Sequence, residues 1–205
     1  MFTVQTLLEG KWAIIILMAL TIAGVFFRCW PVTALALVLL VFTISFFRDP
    51  EVTIPADEKV IVAPATGRIV EIKPVGETTM VAIFLSVFDV HVQRAPIAGT
   101  IKAVEYRPGK FLDVRHPQAS AVNEYRQIVI EAPDSYRVTV RQIAGLIARR
   151  IVGWCGEGAT LAKGERFGMI RFGSRVEMFV PAGTTIVAKI GQYAKGGETI
   201  VARRN

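Results

Sequence analysis

At 205 residues, 52% hydrophobic and with a mean hydropathy of +0.45, the chain is too apolar for an ordinary soluble domain, so a membrane segment is the first feature to seek. A net charge of +7 favours anionic lipid, and no basic stripe is interleaved with aromatics, which sets nucleic acid aside. Two cysteines (Cys29, Cys155) and two histidines (His91, His116) are too few and too scattered for a disulfide framework or a zinc centre. The first 48 residues carry only Glu9, Lys11, Arg28 and Arg48 as charges. Residues 12–27 and 32–47 are almost unbroken apolar runs, divided by Arg28-Cys29-Trp30-Pro31. Each run would form a helix of about 24 Å, slightly short of a ~30 Å hydrocarbon core. Trp12 and Trp30 stand at segment ends, where amphipathic rings favour the interface. Residues 1–48 therefore read as a membrane-anchoring helical hairpin that spans a thin bilayer or dips into it. Lys11 and Arg48 flank its outer ends while the tip holds only Arg28, a bias that places both termini on the cytoplasmic side of the cell membrane. A cleaved signal peptide ending at Ala34-Leu35-Ala36 fits less well, because the apolar run continues past it to Phe47.

Pro50 and Pro55 mark a stiff linker, and residues 49–205 follow a different pattern. Residues 60–72 read as strand, turn, strand, and residues 79–87 as a buried strand. Residues 97–104 suggest a strand pair around Gly99, and residues 127–131 and 136–143 a hairpin across Pro133-Asp134-Ser135. Residues 167–172 and 176–180 are two further strands, and residues 185–190 and 198–202 close the chain. Only residues 122–125 hint at helix. Many short strands with Gly and Pro turns predict a mainly β domain. The opening Ala63-Pro64-Ala65-Thr66-Gly67-Arg68-Ile69 and the closing Gly191 to Ile200 segment are similar to the strand pairs of barrel-sandwich hybrids, an analogy of fold alone. Pairing of the first and last strands would hold residues 174–205 in place even after a backbone cut.

The chemistry concentrates at Arg171-Phe172-Gly173-Ser174-Arg175-Val176. Gly173 lacks a Cβ, so the backbone there can bend and let the Ser174 hydroxyl approach the preceding carbonyl. On its own the pair is an ordinary turn or bulge between strands. Four further stretches accompany it: Phe88-Asp89-Val90-His91-Val92-Gln93-Arg94-Ala95-Pro96, Arg107-Pro108-Gly109-Lys110-Phe111-Leu112, residues 142–151, and Gly164-Glu165-Arg166-Phe167-Gly168-Met169-Ile170 leading into the pair. Together, in this order, they resemble the short bacterial and archaeal form of phosphatidylserine decarboxylase, from about Phe46 to the C-terminus.

That resemblance implies a self-processing enzyme. Ser174 would attack the Gly173 carbonyl, and the chain would part between 173 and 174. Fragments 1–173 and 174–205 would remain together as a heterodimer, with a covalent pyruvoyl group in place of Ser174. The pyruvoyl would supply the electron sink for decarboxylation of phosphatidylserine to phosphatidylethanolamine. His91 matches the family's histidine motif, and an imidazole titrating near neutrality could take the Ser174 proton or return one to the product. Arg149, Arg150 and Arg175 are candidates for the lipid phosphate or the substrate carboxylate, because a guanidinium presents a planar fork of donors. His116, beside Arg115 and Pro117, reads as exposed and incidental. The family's Ser-Pro-Ala-Asp-Gly stands here as Ala63-Pro64-Ala65-Thr66-Gly67, and its Asn-Glu-Arg triplet as Asn123-Glu124-Tyr125-Arg126. Thr66 cannot supply the negative charge of the missing aspartate, which would leave His91 a poorer base; Asp89, two residues from His91, could partly substitute. Two alternatives stay open. One is a processing-deficient relative or membrane-anchored adaptor that binds anionic lipid headgroups; the other is an archaeal ether-lipid serine substrate.

Overall fold

The computed structural model describes residues 3–146, 150–171 and 174–205, and the chain divides into two compact units, residues 1–51 and 52–205.

The first unit is a helical hairpin. Helix α1, Val4–Phe26, starts eight residues before the apolar run does. Thr3 caps it, accepting a hydrogen bond from the Thr6 N–H at 3.4 Å, so Gln5, Glu9 and Lys11 are drawn into the first turns. Its 23 residues measure about 35 Å, rather than the 24 Å expected from the apolar stretch alone. It is the one helix among the described residues long and apolar enough to cross a membrane. Helix α2, Trp30–Phe46, follows a tight turn in which Arg28 takes φ of 55°, and Pro31 occupies its first turn. The helices pack closely because Gly24 faces Thr33: a Cβ there would lie 2.4 Å from the Thr33 hydroxyl. Trp12, Ile22, Trp30, Leu35 and Val38 point outward and are well over half exposed, so the hairpin is apolar on its outer surface as well.

The second unit is mainly β. In chain order it comprises β1 Val60–Val62, β2 Gly67–Val75, β3 Thr78–Leu85, β4 Val92–Arg94 and β5 Gly99–Arg107. The short helix α3 Ala119–Val122 precedes β6 Tyr125–Glu131, β7 Arg137–Ile143 and β8 Arg150–Gly153. Then come β9 Thr160–Leu161, β10 Arg166–Arg171, β11 Ser174–Pro181, β12 Thr185–Ile186, β13 Tyr193–Ala194 and β14 Ile200–Arg203. A curled eight-stranded sheet runs β13-β2-β3-β11-β7-β6-β5-β9, flanked by two three-stranded sheets, β1-β14-β12 and β4-β10-β8. Its core gathers Ile69, Val81, Ile83, Leu85, Val176, Met178 and Val180 with Ile128, Ile130, Val138 and Val140, the alternate residues of neighbouring strands.

The expected strand pair around Gly99 is a single strand. Gly99 begins β5, and a Cβ there would sit 2.3 Å from the Glu131 carbonyl oxygen, so this glycine serves close approach rather than a turn. The strand expected over 185–190 keeps only Thr185 and Ile186. Strands β10 and β11 fall where the sequence placed them, but they lie in different sheets.

The C-terminal 32 residues are woven into the unit at several points. Strand β11 pairs along its full length with β3, from Ser174↔Leu85 to Pro181↔Thr78, and on its other side with β7. Strand β14 pairs with β1, and β13 with the start of β2.

Candidate active site

Ser174 opens β11 and is fully buried. Among the described residues its hydroxyl oxygen has no hydrogen-bond partner. Buried hydroxyls nearly always find one, so an orphan of this kind marks a strained or reactive position. Along β11 the side chains alternate. Val176, Met178 and Val180 enter the core, while Arg175, Glu177 and Phe179 face a cleft of about 500 Å³ on the other side of the sheet. Ser174 shares the core face, and Arg175 does not.

The segment from 85 to 91 wraps this position. Leu85, the last residue of β3, is the register partner of Ser174. The chain then turns through Ser86–Asp89 and reaches His91, whose carbonyl accepts from the Ile170 N–H at 3.4 Å, one residue before β10 ends. His91 is fully buried. Its Nδ1 lies 2.9 Å from the Asp89 carbonyl oxygen, and a carbonyl only accepts, so Nδ1 carries the proton. In the neutral ring Nε2 then keeps the lone pair, the form a general base requires.

Asp89 acts on His91 through its main chain. Its carboxylate is engaged elsewhere, accepting from the Ser86 N–H at 2.7 Å, the Ser86 hydroxyl at 2.8 Å and the Tyr193 hydroxyl at 2.6 Å. Thr66 is half-buried, and its hydroxyl accepts from the Gly196 N–H at 2.9 Å, which ties it to the loop before β14 rather than to the His91 ring. Behind His91 runs a buried polar chain. The Gln93 amide donates to the His91 carbonyl at 2.9 Å, and Gln142 Nε2 donates to Gln93 Oε1 at 2.8 Å. Arg126 Nη1 donates to Gln142 Oε1 at 3.2 Å, and its Nη2 to the Cys155 carbonyl at 2.5 Å. Burial pushes the Arg126 guanidinium below its ordinary value, yet a guanidinium stays charged in this range. Gly153 makes room for it, since a Cβ there would lie 2.4 Å from that guanidinium.

Of the three arginine candidates, Arg150 begins β8 directly opposite Arg171, at the end of β10, and is exposed. Arg149 and Gly173 lie outside the described residues. Arg175 is held in the cleft by two carboxylates, Glu71 at 2.5 Å and Glu177 at 2.8 Å, with Ser120 donating to the same Glu177 oxygen at 2.7 Å. Two of its donors, Nε and Nη2, are thus engaged on the face away from Ser174. The neighbouring Lys73 and Arg175 hold the Glu71 carboxyl below the usual carboxylate range. His116 is exposed at the cleft mouth, its Nδ1 accepting from the Gln118 N–H at 3.2 Å. Ser86, Gln93, Arg126, Gln142, Arg171 and Tyr193 were not singled out from sequence.

A family model for phosphatidylserine decarboxylase matches residues 39–202. The chain belongs to that family. It is 43% identical over 203 residues to a phosphatidylserine decarboxylase proenzyme of Nitratidesulfovibrio vulgaris, covering 96% of this chain and 94% of the relative. The proenzyme of Trichlorobacter lovleyi is 47% identical over 83% of this chain and 80% of its own, and that of Citrifermentans bemidjiense 45% over 89% and 87%. Those relatives carry the word proenzyme in their names, which denotes a form that is processed.

Proposed function

We propose that the chain decarboxylates phosphatidylserine to phosphatidylethanolamine, using a pyruvoyl group that Ser174 becomes when the chain cuts itself between residues 173 and 174. The observation that carries this reading is the fully buried Ser174 hydroxyl, without a hydrogen-bond partner among the described residues, at the start of β11 in the large sheet, with β10 before it in a smaller one. A hydroxyl that no described neighbour holds is free to act as a nucleophile. Family membership supports the same chemistry.

In the maturation step the Ser174 oxygen attacks the Gly173 carbonyl carbon, and the amide becomes an ester as the C–N bond breaks. Loss of a proton from Cα of residue 174 expels the ester, leaving Gly173 with a free carboxyl. The dehydroalanine that remains takes up water and releases ammonia. His91 fits the proton transfers: its tautomer is fixed by Asp89, and its segment joins the register partner of Ser174 to the end of β10. The pyruvoyl group so formed supplies the carbonyl that withdraws electrons as carbon dioxide leaves. Fragment 174–205 stays seated because β11, β13 and β14 are each paired with strands of the other fragment. Arg150, exposed opposite the end of β10, would meet the lipid phosphate or the substrate carboxylate together with Arg149 and Arg175, and Gly173 would be the acyl donor. Residues 1–48 anchor the enzyme in the cell membrane, with residues 49–205 as the catalytic domain on the cytoplasmic side.

Mass spectrometry and a denaturing gel test this directly. Wild type yields pieces 1–173 and 174–205, the smaller resistant to Edman degradation because its N-terminus is a ketone, whereas Ser174→Ala runs as one band. An active preparation consisting only of uncut chain would sink the pyruvoyl reading.

A further inference from the structure

The edge of the large sheet that carries Ser174 also carries exposed apolar side chains. Strand β3 ends at Leu85, opposite Ser174, and β7 ends at Ile143, opposite Arg175. The two chain segments that leave this edge therefore emerge on either side of the start of β11. Phe88, in the first, is 72% exposed, and Leu146, in the second, 57%. Tyr193 extends the rim: it is half exposed, bonded to Asp89, and in register with Arg68 at the start of β2. Arg68 and Arg150 on this rim are both exposed.

A large aromatic ring and a leucine held out into solvent beside a buried reactive residue are costly in water and suited to an interface. A two-chain phospholipid does not readily leave its bilayer, so the reacting residue has to come to the headgroup layer. We propose that this rim is a bilayer-docking surface: Phe88 and Leu146 enter the acyl boundary of the membrane, and Arg68 and Arg150 rest among its phosphates. That arrangement brings Ser174, at the start of β11, toward headgroup depth. The proposal rests on the reading above only in taking Ser174 as the reacting residue.

The test uses full-length protein reconstituted into phosphatidylcholine–phosphatidylserine vesicles. A nitroxide is placed at Phe88→Cys or Leu146→Cys in a Cys29→Ser, Cys155→Ser background, with Val75→Cys at the far end of β2 as the aqueous reference. Docking predicts high collision with oxygen and low collision with a nickel chelate at 88 and 146, and the reverse at 75. Labels at 88 and 146 as open to nickel as the label at 75 would overturn the proposal. So would low collision with both reagents, which would mean that protein covers the rim, either the hairpin or a second copy. This readout is independent of activity and stands apart from any failure of Ser174 to mature. In the kinetic arm, the Phe88→Ser, Leu146→Ser double variant should self-cleave fully and turn over monomeric dihexanoyl-phosphatidylserine within twofold of wild type. Its turnover of vesicle phosphatidylserine should drop at least tenfold. Equal losses on both substrates, or none on either, would refute docking.

Discussion

Replacing Gln93 by leucine probes the buried polar chain behind His91. Leucine nearly matches glutamine in size, so the change removes hydrogen bonds without opening a large cavity. Two groups lose a partner: the Gln142 Nε2, which donated to Gln93 Oε1, and the His91 carbonyl, which keeps the 3.4 Å bond from Ile170. An unsatisfied buried polar group costs about 1–3 kcal/mol, and the carbonyl, still holding one donor, falls at the low end. The sum is roughly 3 kcal/mol, which in a domain of this size lowers Tm by about 10 °C. Gln142→Leu should cost a similar amount, because it strands Gln93 Oε1 and Arg126 Nη1. The double variant no longer contains the two amide groups that strand each other. It should therefore be less destabilised than the sum of the singles by about 2 kcal/mol. Near-UV circular dichroism of Trp154 during heating, in detergent, reports all three. A Tm loss under about 2 °C for Gln93→Leu, or strict additivity in the double, would show that the chain does not act as a unit.

Tyr193→Phe deletes the hydroxyl that holds Asp89; self-cleavage should slow several-fold with little change in Tm, as followed on a gel after synthesis, and unchanged kinetics would remove Tyr193 from the positioning of His91. His91→Ala should block cleavage or turnover, and normal behaviour of both would exclude that histidine from the mechanism. Thr66→Asp should speed cleavage if a carboxylate at this position assists His91, whereas an unchanged rate would mean that Thr66 serves only the Gly196 loop. Glu71→Gln bears on acid stability. Because Lys73 and Arg175 lower the Glu71 pKa, its contribution is present above the ordinary value of 4.5 and is lost as pH falls through the lowered one. The variant should show a smaller loss of Tm on acidification below pH 4.5, and an identical acid limb would contradict the assignment.

The strands nearest the site were legible because their residues alternate: Val176, Met178 and Val180 against Arg175, Glu177 and Phe179 is a period-two signal that survives without any partner in view. Ser174 and His91 could be named because each stands within a recognisable run of neighbours. Illegible features were those decided by distant chain. Gly99 reads as a turn until the Glu131 carbonyl is seen against it. Strands β4, β8, β9 and β13, of two to four residues, are too short to show a period and exist because longer neighbours pair with them. The engagement of Asp89 by Tyr193 joins residues 104 apart and has no local signature. That Arg175 pairs with Glu71 and Glu177 could not be read from sequence, because Glu71 lies on a strand 104 residues away.

The weaving of the last strands has a consequence for how the cell handles unfinished copies. A chain that stops short of residue 193 lacks the hydroxyl that braces Asp89, and one that stops short of 200 leaves β1 without its partner. Such a chain still contains Ser174 and His91, yet it cannot complete the scaffold that orients them. With the maturation proposed above, truncated products should stay inert precursors, distinguishable by their intact backbone.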